Sequence, residues 1–570
     1  MRNTPADPTA PPGARAAPLL RALPWLACLA GVAPLLWSGF PLGHDWAYEL
    51  VRVSEYQAAL VAGQLPPYWS ENLYGGYGSP VFLFYAPLFS ALASLAGWLL
   101  GSVPRGATLV LVGISALSVP FMRVFLDALL ERAGLRDRAA ARVGTVFFVL
   151  HPYLLGNKLV RNADAEFIAL CLVPIALAGV AQAERAPRRA FALVSAGIAL
   201  VVLAHNLTAL VAVTFALGLA LVLYGRGSRV LWAVILGGVG AGLALSAFFW
   251  LPALALTDLI RPEELLRGKF DYHKQFPPLE KIFWYVRFFA TGLATPAVLL
   301  AALAAAVRFP GQRRILVSLL TAALGLLFLE TEASQPIWSL VPWLPLFQFP
   351  WRMMGPLALI ASALAALVTA LALAGRSSRA RALAELAITA LLFLNAVPIL
   401  LQYAPIPAAA EPELAALVHP EVVRNSPETV TAGDEYLPRA SDLQVWHTQR
   451  PLDGPVVAAS GEARWETRVD RGSRIELTTH SPGPVRLRLA RWAFPGWRVE
   501  VNGAPALWTP SPWGTLELEV PAGDALVTAE LQAPPLRRAG LALSGASLVA
   551  WLIGLALAGR RARASIASGP

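Results

Sequence analysis

Long apolar runs alternate with short polar connections along the first 400 residues of this chain, and one more run lies near its C-terminus. Most of the runs approach the length of about 20 residues that an α-helix needs to cross a bilayer. They cover residues 22–40, 106–130, 142–157, 166–184, 190–205, 207–224, 229–250, 286–308, 314–330, 353–374, 383–402 and 538–559. The pattern predicts an α-helical polytopic membrane protein with twelve spans.

Arginines predict the orientation of these spans. If residues 1–21 are a disordered cytoplasmic N-terminus, the connections on the same side contain most of the clustered arginines, as the positive-inside rule requires. Residues 22–40 are then a retained first helix, and 560–570 form a cytoplasmic tail. The clusters are Arg132, Arg136, Arg138 and Arg142; Arg185, Arg188 and Arg189; Arg226 and Arg229; Arg308, Arg313 and Arg314; Arg376, Arg379 and Arg381; and Arg560, Arg561 and Arg563.

Residues 81–101 are also apolar and long enough to span, but a span here would move either the arginine-rich loops or the N-terminus to the outer side. We therefore expect an interfacial or re-entrant segment at the outer membrane surface, and a thirteenth span is the alternative. Its approach is rich in aromatic residues, as membrane interfaces are. These are Tyr68, Trp69, Tyr74, Tyr77, Phe82, Phe84 and Tyr85.

The pattern changes between residues 403 and 537. Apolar and polar residues alternate there, for example from Val485 to Leu489, and Asn502-Gly503 is a typical hairpin turn. Several short strands with one apolar face predict an extracytoplasmic β-sandwich or jelly-roll domain. This β domain follows a transmembrane domain at 22–402 and precedes the final helix at 538–559. The first outer loop of the transmembrane domain is 41–105.

Composition supports a membrane protein. Hydrophobic residues make up 56% of the chain and charged residues 14%, and the mean hydropathy is +0.56. Soluble proteins have roughly 25% charged residues. The net charge of +10 resides mostly in short connections and therefore indicates orientation rather than nucleic-acid binding. Cys28 and Cys171 lie within apolar runs, so no disulfide framework is indicated.

His44 and Asp45 directly follow the first apolar run. An acidic residue is costly to keep near lipid, which favours a functional role for Asp45. In a helix that begins there, Glu49 and Arg52 share a face with Asp45. Such a carboxylate beside a basic group can accept a proton from an attacking hydroxyl. The alternative is that Asp45 only caps the helix.

Four charged residues, Lys158, Arg161, Asp164 and Glu166, occur together at the predicted outer ends of two helices. Arginine and lysine stabilise phosphate oxygens by charge-assisted hydrogen bonds, so the group predicts an anion site with a supporting carboxylate. Ordinary solvation of helix ends is the alternative. His205, at the same level, either adds a donor or belongs to a polar turn.

Two later outer connections contain further candidates. Asp271, His273 and Lys274 lie in 251–285, and Arg352 lies where the next helix begins. A helix N-terminus favours anions, so an arginine there suggests a phosphate ligand. No metal site is predicted. A divalent cation held by Asp45, Glu166 and His273 is left open, without a recognisable ligand spacing to support it.

A set of short motifs resembles a bacterial multi-pass family described as membrane proteins related to 6-pyruvoyl-tetrahydropterin synthase, and the chain also resembles the GT-C type of glycosyltransferases. The seven histidines are scattered without an HxH pair, so pterin chemistry gains no support from them. The motifs are GHDW (43–46), PPYWSENLYGGYGSP (66–80), FYAPL (84–88), RNADAE (161–166), HNLTAL (205–210), FDYHKQF (270–276), QFPWR (348–352), EYLP (435–438) and FPGWRVEVNG (494–503).

The GT-C resemblance implies a lipid-linked sugar donor, with Asp45 at the position of the catalytic carboxylate and Arg161 and Glu166 in the second outer loop. First outer loops of this type often contain paired acids, whereas His44 precedes Asp45 here, which weakens the expectation of a metal-bound base. Asp45 and Glu166 are thus the expected catalytic residues. The expected substrate-binding residues are His44, Glu49, Arg52, Lys158, Arg161, His205, Asp271, His273, Lys274 and Arg352.

These observations together predict a glycosyltransferase-like protein of the bacterial cytoplasmic membrane. It would transfer a sugar from a polyprenyl-phosphate donor to a cell-envelope glycan or lipid acceptor at the outer face. Residues 81–101 would help to form a groove for the lipid tail. Two alternatives remain: a non-catalytic envelope scaffold that binds glycans, and a transporter of lipid-linked glycans.

Overall fold

The chain is helical up to residue 402 and forms strands between 456 and 531. Two short helices precede the strands, and one long helix follows them. The computed structural model describes residues 12–277, 292–402, 411–425, 434–442 and 454–567, and the statements below refer to these ranges. The helices are α1 Pro12–Ser38, α2 Trp46–Val61, α3 Val81–Phe84, α4 Leu88–Leu100, α5 Val103–Arg132, α6 Arg138–Val149, α7 Pro152–Gly156, α8 Asp164–Gln182, α9 Pro187–Ala204, α10 Asn206–Tyr224, α11 Arg229–Leu245, α12 Ala247–Ala255, α13 Ala294–Arg308, α14 Arg313–Leu329, α15 Gln335–Leu340, α16 Met354–Leu373, α17 Ser378–Gln402, α18 Glu411–Leu417, α19 Pro420–Asn425 and α20 Pro535–Ala567.

Ten helical segments of the described ranges are long and apolar enough to cross a membrane, and α11 with α12, bent by 76°, make an eleventh. Each coincides with a predicted apolar run. The remaining run, 286–308, is described only from residue 292, where α13 occupies its second half. The α-helical polytopic fold is therefore confirmed, whereas the count of twelve and the orientation stay predictions.

The chain termini differ from expectation. Residues 1–11 of the predicted disordered N-terminus lie outside the described residues, but α1 begins at Pro12, so residues 12–21 are helical. At the other end α20 continues to Ala567, beyond the predicted end of the last span at 559. In both places the helix extends past the apolar run, because backbone hydrogen bonding does not end where hydrophobicity does.

Residues 81–101 form α3 and α4, which have 4 and 13 residues and are shorter than a bilayer requires. Inside the protein, α4 packs against α2 and α5, and α3 packs against α12. Gly106 permits this approach, since a Cβ there would lie 2.3 Å from the backbone nitrogen of Gly97. The segment is thus held by neighbouring helices, with Trp98 and Leu99 left on the exposed side.

The β region consists of two antiparallel sheets with strand orders β1-β4-β8-β7 and β2-β3-β9-β5-β6. Leu477 and Val527 from one sheet share a core with Leu487 and Leu518 from the other, as the predicted sandwich requires. Of the predicted domain 403–537, residues 403–410, 426–433 and 443–453 lie outside the described ranges. The strands are β1 Val456–Ser460, β2 Arg464–Arg471, β3 Arg474–Ser481, β4 Val485–Trp492, β5 Trp497–Val501, β6 Ala504–Ala506, β7 Trp508–Pro510, β8 Thr515–Val520 and β9 Gly523–Leu531.

Three aromatic residues of the loop 41–105, Tyr68, Trp69 and Tyr77, pack against this β region. The Trp69 ring lies 6.2 Å from that of Trp497 and perpendicular to it, and Tyr77 stacks on Trp492 at 4.6 Å. The Tyr68 hydroxyl donates to the Leu531 carbonyl. These three residues, which were predicted to belong to a membrane-interface belt, thus contact protein, because rings with one polar atom suit a protein interface as well as a lipid headgroup layer.

Polar contacts reinforce the same interface. Glu71 accepts hydrogen bonds from the Ser473 hydroxyl (2.6 Å) and the Gly472 amide (3.2 Å). Arg537, at the start of α20, donates to the Pro66 and Pro67 carbonyls. The first outer loop is therefore held at once by the sandwich and by the last helix.

Replacing Trp69 by alanine should destabilise this docking. A buried tryptophan replaced by alanine costs about 3–5 kcal/mol, so we expect a clear loss in thermal unfolding of the protein in nanodiscs. The matched control is Trp98→Ala on α4, whose side chain is 47% exposed and should change the unfolding temperature little. Equal unfolding temperatures for the two variants would contradict the proposed packing.

Candidate functional site

A cavity of about 1190 Å³ opens among α2, the start of α8, α10, α12 and the start of α16. Its polar lining comes from residues 44–52 and 85, from the connections before α8 and α10, and from residues within 257–277, 348–352 and 435–436. Its apolar lining, here called the apolar wall, consists of Leu210, Leu243, Phe249, Trp250 and Leu254. Ligand sites typically combine such a surface with a few convergent polar groups.

Nine of the twelve predicted site residues line this one cavity. They come from five separate stretches of the chain, so that the fold, and not closeness in sequence, brings them together. The nine are His44, Asp45, Glu49, Arg52, Arg161, Glu166, His205, Lys274 and Arg352.

Asp45 occupies the N-cap position of α2, yet its side chain makes no capping hydrogen bond. The backbone holds it in place: the amides of His44 and Asp45 donate to the carbonyls of Val160 and Arg161 at 3.0 and 2.9 Å. Gly43 allows this approach, since a Cβ there would lie 2.2 Å from the Val160 oxygen. The half-buried carboxylate is thus presented to the cavity, and the interpretation of Asp45 as a side-chain cap gains no support.

Glu49 and Arg52 form a buried ion pair, with 2.6 Å between Oε1 and Nη2. The Tyr85 hydroxyl donates to Glu49 Oε1 at 3.0 Å, and the Arg52 guanidinium lies 4.0 Å from the centre of the Tyr85 ring. Burial raises the pKa of Glu49, while Arg52 counteracts the shift. The basic group predicted beside Asp45 is therefore paired with Glu49. We call Glu49, Arg52 and Tyr85 the α2 cluster.

Glu166 lies between two arginines, a group called here the arginine cluster. Its Oε2 is 3.5 Å from Arg161 Nη1 and 3.8 Å from Arg352 Nε. The Tyr153 hydroxyl and the Asn157 amide donate to its other oxygen. Its oxygens are thus surrounded by donors, so the geometry favours a positioning role for Glu166 over the predicted catalytic one.

The two arginines are also held by aromatic rings. The Arg161 guanidinium lies 4.4 Å from the ring centre of Trp351, and that of Arg352 lies 5.2 Å from the ring centre of Phe349. Within the described residues, Arg352 Nε is buried without a hydrogen-bond partner. Since two positive charges face one carboxylate, the cluster keeps a positive surplus that suits an anion.

Asp45 lies between the two clusters and within electrostatic reach of both Glu49 and Arg352. The Asp45 carboxylate is thus next to the arginine cluster but, within the described residues, forms no ion pair with its arginines. The arrangement is suited to general-base chemistry next to a bound anion.

Three predicted residues do not line the cavity. Lys158, 2% exposed, directs its ammonium to the Ser115 hydroxyl (3.3 Å) inside the bundle. It lies in a π-helical turn, Asn157–Arg161, whose opposite side faces Glu166. Asp271 and His273 pair with each other at 2.7 Å, and this hydrogen bond lowers the pKa of Asp271. Their partners therefore keep these side chains out of the site.

Among the residues that line or adjoin the cavity but were not predicted are Asp164, Lys269, Glu435 and Tyr436. Asp164 is fully buried, its two carboxylate oxygens have no hydrogen-bond partner among the described residues, and it interacts electrostatically with Glu49 and Asp45. The four-charge stretch already pointed to Asp164. Only the EYLP motif pointed to Glu435 and Tyr436.

The residues considered for a divalent cation are not brought together. Glu166 is held by the arginines, and His273 is bound to Asp271. Among the described residues, no three histidine, cysteine, aspartate or glutamate side chains converge in a metal-binding arrangement. The cation remains a prediction without a set of ligands.

The fold and the cavity define a polytopic membrane protein with a large cavity at one end of its helical bundle. The model of the family described as "6-pyruvoyl-tetrahydropterin synthase related domain; membrane protein" matches residues 82–403, which is more than half of the chain. The chain belongs to this family, as its motifs predicted. No curated protein matches it.

Solved structures of GT-C glycosyltransferases resemble the chain. Arabinofuranosyltransferase AftD from Mycobacteria shares 21% identity over 69% of this chain and 27% of its own (TM-score 0.43). The Archaeoglobus fulgidus oligosaccharyltransferase shares 14% identity over 68% of this chain and 56% of its own (TM-score 0.44). ArnT from Cupriavidus metallidurans, solved with undecaprenyl phosphate, shares 14% identity over 71% of this chain and 70% of its own (TM-score 0.37). This chain thus spans about a quarter of the length of the arabinofuranosyltransferase and about half of that of the oligosaccharyltransferase.

Replacing Glu166 by glutamine should destabilise the protein, because Arg161 and Arg352 would then lie together without a counter-charge. Breaking a buried ion pair on one side costs about 3–5 kcal/mol. The measurement is thermal unfolding in nanodiscs. The control, Glu264→Gln, breaks the surface pair with Arg267 and should cost at most about 1 kcal/mol. An unchanged Glu166→Gln variant would contradict the neutralising role of Glu166.

Proposed function

We propose that the protein transfers a sugar from a polyprenyl-phosphate donor to a cell-envelope acceptor at the outer face of the bacterial cytoplasmic membrane. One observation supports this above all others: a single cavity combines a carboxylate without a capping bond, two positioned arginines and an apolar wall. The arginines suit the anionic head of such a donor, and the apolar wall suits its hydrocarbon tail. The carboxylate suits glycosyl transfer to a hydroxyl, which needs a base.

The donor phosphate is assigned to the arginine cluster. Arg161 and Arg352 present planar donors that match phosphate oxygens, and Lys269 and Lys274 line the same cavity. The buried Nε of Arg352 offers a further donor.

The donor tail is assigned to the apolar wall. Leu254 on α12 is 71% exposed and continues the wall to the outside of the bundle. The predicted role of residues 81–101 in the tail groove needs correction: only Phe84, Tyr85 and Ala86 of that segment line the cavity, because α4 packs against α5 instead.

In the proposed reaction, Asp45 accepts the proton of an acceptor hydroxyl. The hydroxyl oxygen forms a bond to the anomeric carbon while the bond from that carbon to the phosphate oxygen breaks. Polyprenyl phosphate leaves with the electron pair, and Arg161 and Arg352 stabilise its charge. Attack opposite to the leaving group inverts the anomeric centre.

Asp45→Asn should lower transfer by about 10²–10⁴-fold, the usual loss when a general base is removed. Folding should persist, since the Asp45 side chain makes no cap bond. The readout is the envelope glycan profile of cells that produce the variant, measured by mass spectrometry at matched protein levels. The control is Asp127→Asn on α5, which lies outside the cavity and pairs with Arg123. A normal profile for Asp45→Asn would eliminate Asp45 as the base.

Arg352→Ala should weaken binding of undecaprenyl phosphate to the protein in nanodiscs by at least about tenfold, because a hydrogen bond to a charged group contributes about 1.5–3 kcal/mol. Asp45→Asn should retain binding, and so should Arg267→Ala, whose side chain lies at the surface. If wild type and Arg352→Ala bind equally, or if wild type does not bind, the donor site is refuted.

A further inference from the structure

One segment from beyond the helical bundle reaches the cavity. Residues 434–442, here called the strap, lie between α19 and β1, and Glu435 and Tyr436 line the cavity. Among the described residues of 403–537, these two alone do so. The strap is therefore the described route by which the outer part of the protein can contact a ligand at Asp45.

The strap is anchored on both flanks. Arg439 forms two 2.9 Å hydrogen bonds to Glu263, and its backbone amide donates to the Leu259 carbonyl at 2.8 Å. The Glu435 carbonyl accepts from the Arg261 amide at 3.1 Å. These contacts fix the backbone, so the side chains of Glu435 and Tyr436 are presented in a preorganised way.

Tyr436 belongs to an aromatic group in the cavity. Its ring lies nearly parallel to that of Phe84, at 6.3 Å, and perpendicular to that of Tyr85, at 6.4 Å. Burial raises the pKa of Tyr436, which keeps its phenol a hydrogen-bond donor. Aromatic faces pack against the C–H faces of sugar rings, and nearby carboxylates accept hydrogen bonds from sugar hydroxyls.

Negative charge around the strap disfavours binding of the donor phosphate there. Tyr436 lies within electrostatic reach of Glu49 and Arg52, and Tyr48 lies within reach of both Asp45 and Glu435. Glu435 thus adds negative charge to the side of the α2 cluster. A phosphate is repelled there and attracted to the arginine cluster. What remains beside Asp45 suits a ligand rich in hydroxyls and without negative charge.

We propose that Glu435 and Tyr436 form a saccharide subsite that binds the acceptor, with Tyr436 packed against a sugar ring and Glu435 accepting a hydrogen bond from one of its hydroxyls. This inference rests on the proposed function and specifies its acceptor as an uncharged glycan. Asp45, between the α2 and arginine clusters, then faces a hydroxyl of the bound sugar.

The test compares wild type with Tyr436→Ala, Tyr436→Phe and Glu435→Gln in nanodiscs. The probe is an array of immobilised neutral hexose and pentose oligosaccharides, and undecaprenyl phosphate is the second probe. We expect wild type to be retained on a subset of the array. Tyr436→Ala and Glu435→Gln should reduce that retention at least about tenfold, and Tyr436→Phe, which keeps the ring, should reduce it less. Undecaprenyl phosphate binding should not change in any of them.

Trp465→Ala provides the matched control, since this tryptophan on β2 is 40% exposed and lies outside the cavity. Loss of retention in Trp465→Ala but not in Tyr436→Ala would place the glycan site on the sandwich and overturn the inference. So would a wild type that binds none of the oligosaccharides. If retention depends on Tyr436 while undecaprenyl phosphate fails to bind wild type, the subsite stands and the proposed donor fails.

Discussion

The pairing of Glu166 with both Arg161 and Arg352 is the interaction on which the site depends. Two buried guanidinium groups cannot lie side by side in a low-dielectric bundle without a shared counter-charge. The arginines come from segments far apart in sequence, before α8 and at the start of α16, and both helices are packed among the most buried residues of the protein. The position of one carboxylate therefore sets how these two helices meet and where positive charge faces the cavity.

The loop 41–105 and the sandwich are assembled around this centre. The backbone of residues 43–45 is bound to the π-helical turn that ends at Arg161, so Asp45 is fixed relative to the arginines through main-chain hydrogen bonds. The continuation of the same loop is fixed from the other side by the sandwich, through Trp69 and Tyr77. The arginines, the Asp45 carboxylate and the aromatic group thus belong to one arrangement held by many contacts, which is what the proposed transfer reaction would require.

The sequence was sufficient to predict what repeats or stands out. Apolar runs of bilayer length predicted the spans, and period-two alternation predicted the sheets. Polar residues in or beside the connections between spans predicted nine residues that line one cavity. The sequence did not predict which way side chains point from a helical turn, nor which distant residues contact each other. Lys158 and Arg161 looked equivalent, but a π-helical turn directs them to opposite sides. Trp69 read equally well as a lipid anchor or as an interface residue, and nothing local connects Tyr436 with Asp45. Such pairings depend on the folded chain, because no periodicity encodes them.

The docking of the first outer loop on the sandwich has a consequence for biogenesis. Tyr77 is inserted early, but its partner Trp492 follows more than 400 residues later. At synthesis rates of about 5–20 residues per second, this loop waits on the order of half a minute or longer for its binding surface. During that time the aromatic segment is exposed at the membrane, and the cavity lacks its strap. The nascent helical bundle therefore cannot yet hold a complete site, and assembly of the outer region becomes the step that completes it.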